Sequence, residues 1–88
     1  MSYKIKQDLS IGDNLKRLRQ KEGLTQEEVA AKLQLLGLPV SREILSQMEL
    51  GKYSIRVSVL VALKALYHAS YADFFAGLDE GSTPPTIT

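Results

Sequence analysis

Ser41, Arg42, Glu43, Ser46 and Gln47 set five hydrogen-bonding side chains close together in one short run. If that run is helical with Leu45 and Met48 turned inward at i, i+3, the five polar residues share the outward side. They supply a forked donor, a carboxylate acceptor, an amide that both donates and accepts, and two hydroxyls. Such a set suits the reading of a donor and acceptor pattern on a partner. Bond-breaking chemistry finds much less to work with. The single histidine, His68, lies near a helix end, where it favours the dipole or terminates a surface turn, and no cysteine, Asp-His pair or glycine-rich phosphate loop accompanies it. Glu27 and Glu28 are adjacent, so on a helix they do not face each other, and helix-start electrostatics accounts for both. We therefore expect no enzyme, no catalytic residue, no metal site and no cofactor.

The elements that must hold the polar run are legible on either side of it. In LQLLGLPVSREI, Gly37 can take the left-handed conformation that closes a helix, and Pro39 pushes Leu38 out of the helical region. Ser41 then caps a new helix, with Glu43 against its positive end; this third helix runs over about 42–50 and stops at Gly51. The second helix opens at the capping box Thr25-Gln-Glu-Glu28 and runs to Leu36, with Leu24, Val29, Leu33 and Leu36 as its inner stripe. A first helix begins at a capping-box variant, Ser10-Ile-Gly-Asp13, and carries Ile11, Leu15 and Leu18 at helical spacing. Residues 55–61 alternate like a strand, but Leu60, Leu63 and Leu66 carry a helical period onward. A lone strand would lack a partner, so a fourth helix is expected over 55–68, begun by Ser54. Ser70-Tyr-Ala-Asp73 opens a short fifth helix with Phe74 and Phe75. Three segments follow: an arm at 1–10 with Lys4 and Lys6, a folded domain at 11–76, and a flexible tail at 77–88 that contains Pro84-Pro85.

Composition sets the limits. The 88 residues suffice for one small domain with a thin core, and 44% hydrophobic content is that of a globular chain. Without cysteine neither disulfides nor thiolate metal sites are available. No apolar run reaches signal-peptide or membrane-spanning length, which leads us to expect a cytoplasmic protein with no membrane partner. The net charge of +1 conceals a gradient: residues 1–24 carry six Lys or Arg against three acids, whereas residues 57–88 set Lys64 against Asp73, Asp79 and Glu80. One end can meet an anionic partner while the other faces solvent or a second subunit.

IGDNLKRLRQKEGLTQEEVAAKL, VSREILSQMELGK and SIRVSVLVALKALYHASYADFF together resemble the helix-turn-helix family of phage Cro and repressor proteins, often called the XRE family. The likeness spans residues 11–76, including both central helices, their caps and the closing Glu49-Leu50-Gly51-Lys52. It implies an all-α fold, a compact five-helix bundle containing a lambda-repressor-like helix-turn-helix, which binds double-stranded DNA as a small transcriptional regulator, expected to be a repressor. Its third helix would lie in the major groove. Ser41, Arg42, Glu43, Ser46 and Gln47 would then contact bases, with Arg42 suited to guanine, Gln47 to adenine and Glu43 to a cytosine amino group. Ile44 could touch a thymine methyl or pack beside Met48. Thr25 and Gln26, at a helix N-terminus, would meet phosphates on one side, and Lys52, Tyr53, Ser54 and Arg56 on the other. The resemblance also implies a buried ion pair between Arg19 and Glu49.

Family members cross from the second helix to the third through a shorter run, Leu-Gly-Val-Ser. Here the connection from Leu33 to Ser41 is longer, and some of Leu35, Leu36 and Leu38 are expected to pack under the third or against the fourth helix. A homodimer is expected, through Val57, Val61, Tyr71 and Phe75. The alternative is a protein-protein interaction module that uses those apolar residues without specific DNA readout; the low net charge and Glu43 favour it. No second domain is in evidence to house a sensor, so no small-molecule ligand is expected.

Overall fold

The computed structural model describes residues 9–78, so Lys4, Lys6 and the tail from residue 79 onward lie outside the described residues. Five helices follow one another: α1 (Gly12–Lys21), α2 (Gln26–Leu35), α3 (Arg42–Glu49), α4 (Val57–Leu66) and α5 (Tyr71–Phe74), with no strand among the described residues. Helix α3 packs against both α1 and α2, α4 against α2, and α5 against α1. One core lies between them, built on Leu15, Val29, Leu33, Leu45, Leu63 and Phe74, all fully buried. Residues 55–61 are not a strand: Ile55 is half-buried in an extended approach, and the helix starts two residues later.

Two capping boxes form as the sequence specifies. Thr25 Oγ1 accepts from the Glu28 N–H at 3.1 Å and Glu28 accepts from the Thr25 N–H at 2.9 Å; Ser70 and Asp73 repeat the arrangement at the start of α5. At α3 the Ser41 hydroxyl accepts from the Ile44 N–H at 3.1 Å. The expected box at Ser10–Asp13 does not form. Ser10 Oγ instead accepts from the Gly12 N–H at 2.9 Å, and Asp13 contributes only a negative charge in the first turn.

The boundaries of α2 and α4 depart from the sequence reading. Helix α2 ends at Leu35, and Leu36 is its C-cap. Gly37, at φ +81°, then lets the Leu38 N–H donate to Leu33 O and the Gly37 N–H to Gln34 O. That paired bonding satisfies the last carbonyls and folds Leu38 back onto the core. Leu38 thereby takes the inner place expected of Leu36, which is 60% exposed; Leu35 is 88% exposed. Of the three leucines only Leu38 packs. Helix α4 begins not at Ser54 but after Arg56, an N-cap with no side-chain cap, because Ile55 is drawn inward before the helix can start. Its C-cap is Tyr67, and His68 adopts φ +50°, with the Ala69 N–H bonded to Lys64 O. A side chain in that region carries a steric cost, and here it marks the helix stop.

Two contacts of α1 were not legible in the sequence. Gly12 is buried against the end of α3, where a Cβ would collide with the backbone carbonyls of Met48 and Glu49. Asn14 is buried and donates to Phe74 O at 2.8 Å and Ala76 O at 3.0 Å, fastening α5 to α1. Leu78 is half-buried, and its N–H donates to Phe75 O, so the folded part continues past the expected start of the tail.

Gly12→Ala should therefore destabilise the fold by about 2 kcal/mol or more in urea denaturation, because the obstacle is backbone and cannot rotate away. Glu28 and Asp73 have lowered pKa values, chiefly because each accepts from the backbone of its box partner, Thr25 and Ser70 respectively. Their contribution is present above the ordinary carboxylate range and is lost as pH falls through the lowered values. Protection factors of the amides at the starts of α2 and α5, taken relative to intrinsic exchange at each pH, should fall in acid, and Glu28→Gln should flatten that pH dependence in α2.

Candidate nucleic-acid interface

The inward residues of α3 determine what its outward residues can do. Leu45 and Met48 are buried, and Ile44 packs against the core from the side. With that face pinned, Arg42, Glu43 and Gln47 are exposed, while Ser41 and Ser46 are half-buried at the margin. Of the two readings of Ile44, packing is the one seen. Arg42 Nη2 lies 3.4 Å from Glu43 Oε2, an exposed contact that costs little to break when either group finds another partner. The Ser41 oxygen is occupied as a cap, leaving its O–H free to donate.

The candidate phosphate residues flank this helix on two sides. Arg42 borders an open depression together with Thr25, Gln26 and Glu27, so the start of α2 and the start of α3 face one concavity. Thr25 is exposed there, next to the positive end of α2. Gln26 behaves differently from expectation: its side-chain amide donates inward to Glu49 Oε1 at 2.9 Å. On the other side, Lys52, Tyr53, Ser54 and Arg56 are all exposed along the segment between α3 and α4.

Beneath the face lies an ion pair. Arg19 Nε donates to Glu49 Oε2 at 2.7 Å and Arg19 Nη2 to Glu49 Oε1 at 3.0 Å, a two-pronged geometry that fixes direction as well as distance. A third bond, Arg19 Nη1 to Leu24 O at 2.8 Å, adds the loop before α2. The hydrogen bond to Glu49 holds the Arg19 pKa above its ordinary value, against the opposing effect of burial. The Tyr67 hydroxyl is buried with no hydrogen-bond partner among the described residues. Burial, and then the nearby Glu49 carboxylate, push its pKa up, so it stays neutral.

This arrangement coincides with a match to a family model, described as a helix-turn-helix domain, over residues 10–74. The chain belongs to that helix-turn-helix domain family. Membership points to DNA as partner and to a regulatory role. Comparison with curated proteins and with solved structures gives no match. Among the described residues of this helix-turn-helix domain, no helix is long and apolar enough to cross a membrane, and no group of side chains could hold a metal ion.

The Arg19–Glu49 pair, which the family resemblance implied, is present, but nothing in the sequence showed that Gln26 joins it. Nothing in the spacing of Gln26 and Glu49 distinguishes an inward amide from an outward one. Arg19→Met should cost about 3–5 kcal/mol in urea denaturation, because it leaves the Glu49 carboxylate buried without its cation. The double variant Arg19→Met, Glu49→Leu should recover much of that loss.

Proposed function

We propose that this chain is a sequence-specific DNA-binding transcriptional repressor of the Cro and repressor (XRE) type, acting in the cytoplasm as a homodimer with α3 in the major groove. The observation that carries this reading is the α3 face itself: Arg42, Glu43 and Gln47 stand exposed on a helix whose opposite side is locked into the core. Arg42 and Gln47 are the side chains suited to two-pronged bonds with guanine and adenine, and Glu43 accepts from cytosine, while Ser41 and Ser46 reach the margin of the base edges. Thr25 with the backbone at the start of α2, and Lys52, Tyr53 and Arg56 on the far side, would hold the phosphates. Gln26 would contribute its backbone N–H, its side chain being engaged with Glu49.

A single short helix reads few base pairs, so specificity calls for two half-sites and a twofold pair of chains. Val57, Val61, Tyr71 and Phe75 are exposed on α4 and around α5 and form the proposed dimer surface. Lys64 Nζ sits 5.1 Å from the centre of the Tyr71 ring, which gives that surface a cationic margin. Occupancy of a site by such a dimer blocks other proteins by exclusion, the simplest route to repression.

Selection of bound sequences from a random duplex library tests the reading. A twofold-symmetric motif should emerge, and Arg42→Ala and Gln47→Ala should each relax particular positions in it, by about 1–3 kcal/mol of discrimination. Lys52→Ala and Arg56→Ala should weaken binding to all sequences and lower the slope of affinity against salt by about one counterion each. A folded protein that selects no motif at low salt would refute the proposal and turn attention to the apolar surface as a protein-binding site.

A further inference from the structure

The longer connection between α2 and α3 builds one wall of a cavity. Leu38 and Val40 from that connection, Ile44 and Met48 from α3 and Val59 from α4 line a partly open hollow of about 150 Å³, in which Leu38 and Ile44 are half-buried and Val40, Met48 and Val59 almost wholly covered. Its rim is polar: Tyr53, Ser54, Arg56 and Ser58 border the mouth. No carboxylate lines it, and Arg56 is exposed with no ion pair among the described residues. A site with apolar walls and a few convergent polar groups at one end is the usual form of a small-molecule pocket.

The geometry points to a binding site for a small aromatic monocarboxylate of one ring, with the ring against Leu38 and Ile44 and the carboxylate on Arg56. The volume decides the size, since an apolar protein cavity of roughly 150 Å³ takes a benzene-sized molecule. The half-buried aliphatic side chains of Leu38 and Ile44 suit the face of a ring. A guanidinium with no competing acid selects a planar carboxylate, which it can hold through two parallel bonds. The uncapped start of α4, which follows Arg56 directly, adds positive potential on the same side. The expectation of no small-molecule ligand rested on the lack of a second domain to house a sensor; this cavity lies within the DNA-binding domain itself.

Such a ligand would regulate. Arg56 is one of the proposed phosphate contacts, and the walls belong to α3 and to the segment that follows it, so carboxylate and phosphate compete for one cation. Ligand and DNA then weaken each other's binding by the same factor. This regulatory half rests on the DNA-binding reading, whereas the binding half does not.

Benzoate is the probe, titrated into the full chain without DNA and followed by NMR of the Ile44 and Met48 methyl groups. Saturable shifts with a Kd on the order of millimolar are expected for a ligand of this size. Benzyl alcohol, which keeps the ring and lacks the charge, should bind on the order of tenfold more weakly. Arg56→Ala should reduce benzoate to the level of the alcohol, and Ser58→Phe, at an exposed position on the rim, should block both. Absence of shifts in the folded protein, or shifts indifferent to both variants, overturns the site. With the site established, duplex affinity that is unchanged at saturating benzoate overturns the competition. A chain that takes benzoate and binds no DNA at all refutes the proposed function and, with it, only the regulatory half.

Discussion

Arg19 and Glu49 meet through two hydrogen bonds at the place where the end of α1, the start of α2 and the end of α3 converge. Each remaining polar atom of the pair is directed at one of these elements. Arg19 Nη1 holds Leu24 O just ahead of α2, and Gln26, the first residue of α2, donates to the same carboxylate oxygen that accepts from Arg19 Nη2. A buried ion pair adds little net stability over well-packed apolar residues. Its effect is directional, because two parallel bonds fix an angle in a way that leucines in a thin core do not. Here the angle so fixed is that of α3 against α1 and α2.

The surrounding packing is consistent with that role. Gly12 lets the start of α1 approach the backbone at the end of α3 more closely than any side chain would allow. Asn14, one turn of α1 from Leu18, ties the end of α5 back to α1 by two carbonyls. Helix α3 is thus held at its C-terminal end by polar and backbone contacts and along its length by Leu45 and Met48. Its start presents Arg42 and Glu43 to solvent. A rigid scaffold that presents exposed side chains is what recognition of a patterned surface requires.

The connection between α2 and α3 shows where pattern-based reasoning reached its limit. Glycine and proline there are read correctly as a stop and a restart, since their effects are local to the backbone. The three leucines beside them are not sorted by the same reasoning. Leu35, Leu36 and Leu38 are chemically alike, and which one turns inward depends on the two hydrogen bonds that close α2 around Gly37. The start of α4 fails for a similar reason. Ser54 is a good cap residue, but Ile55 is taken by the core first and the helix begins later.

What the sequence determined by itself is the content encoded within a few residues. Helix number and order, the capping boxes at Thr25 and Ser70, the cap at Ser41 and the polar run of α3 belong here, because helix starts, stops and faces are set by neighbours within one or two turns. Tertiary structure alone decided the rest. Gly12 against Glu49, Asn14 beneath Phe74, Gln26 turned inward and the cavity under Leu38 all join residues far apart in the chain, and no periodicity relates them. Such contacts depend on where whole helices lie relative to one another, and that placement follows from close packing of the complete core.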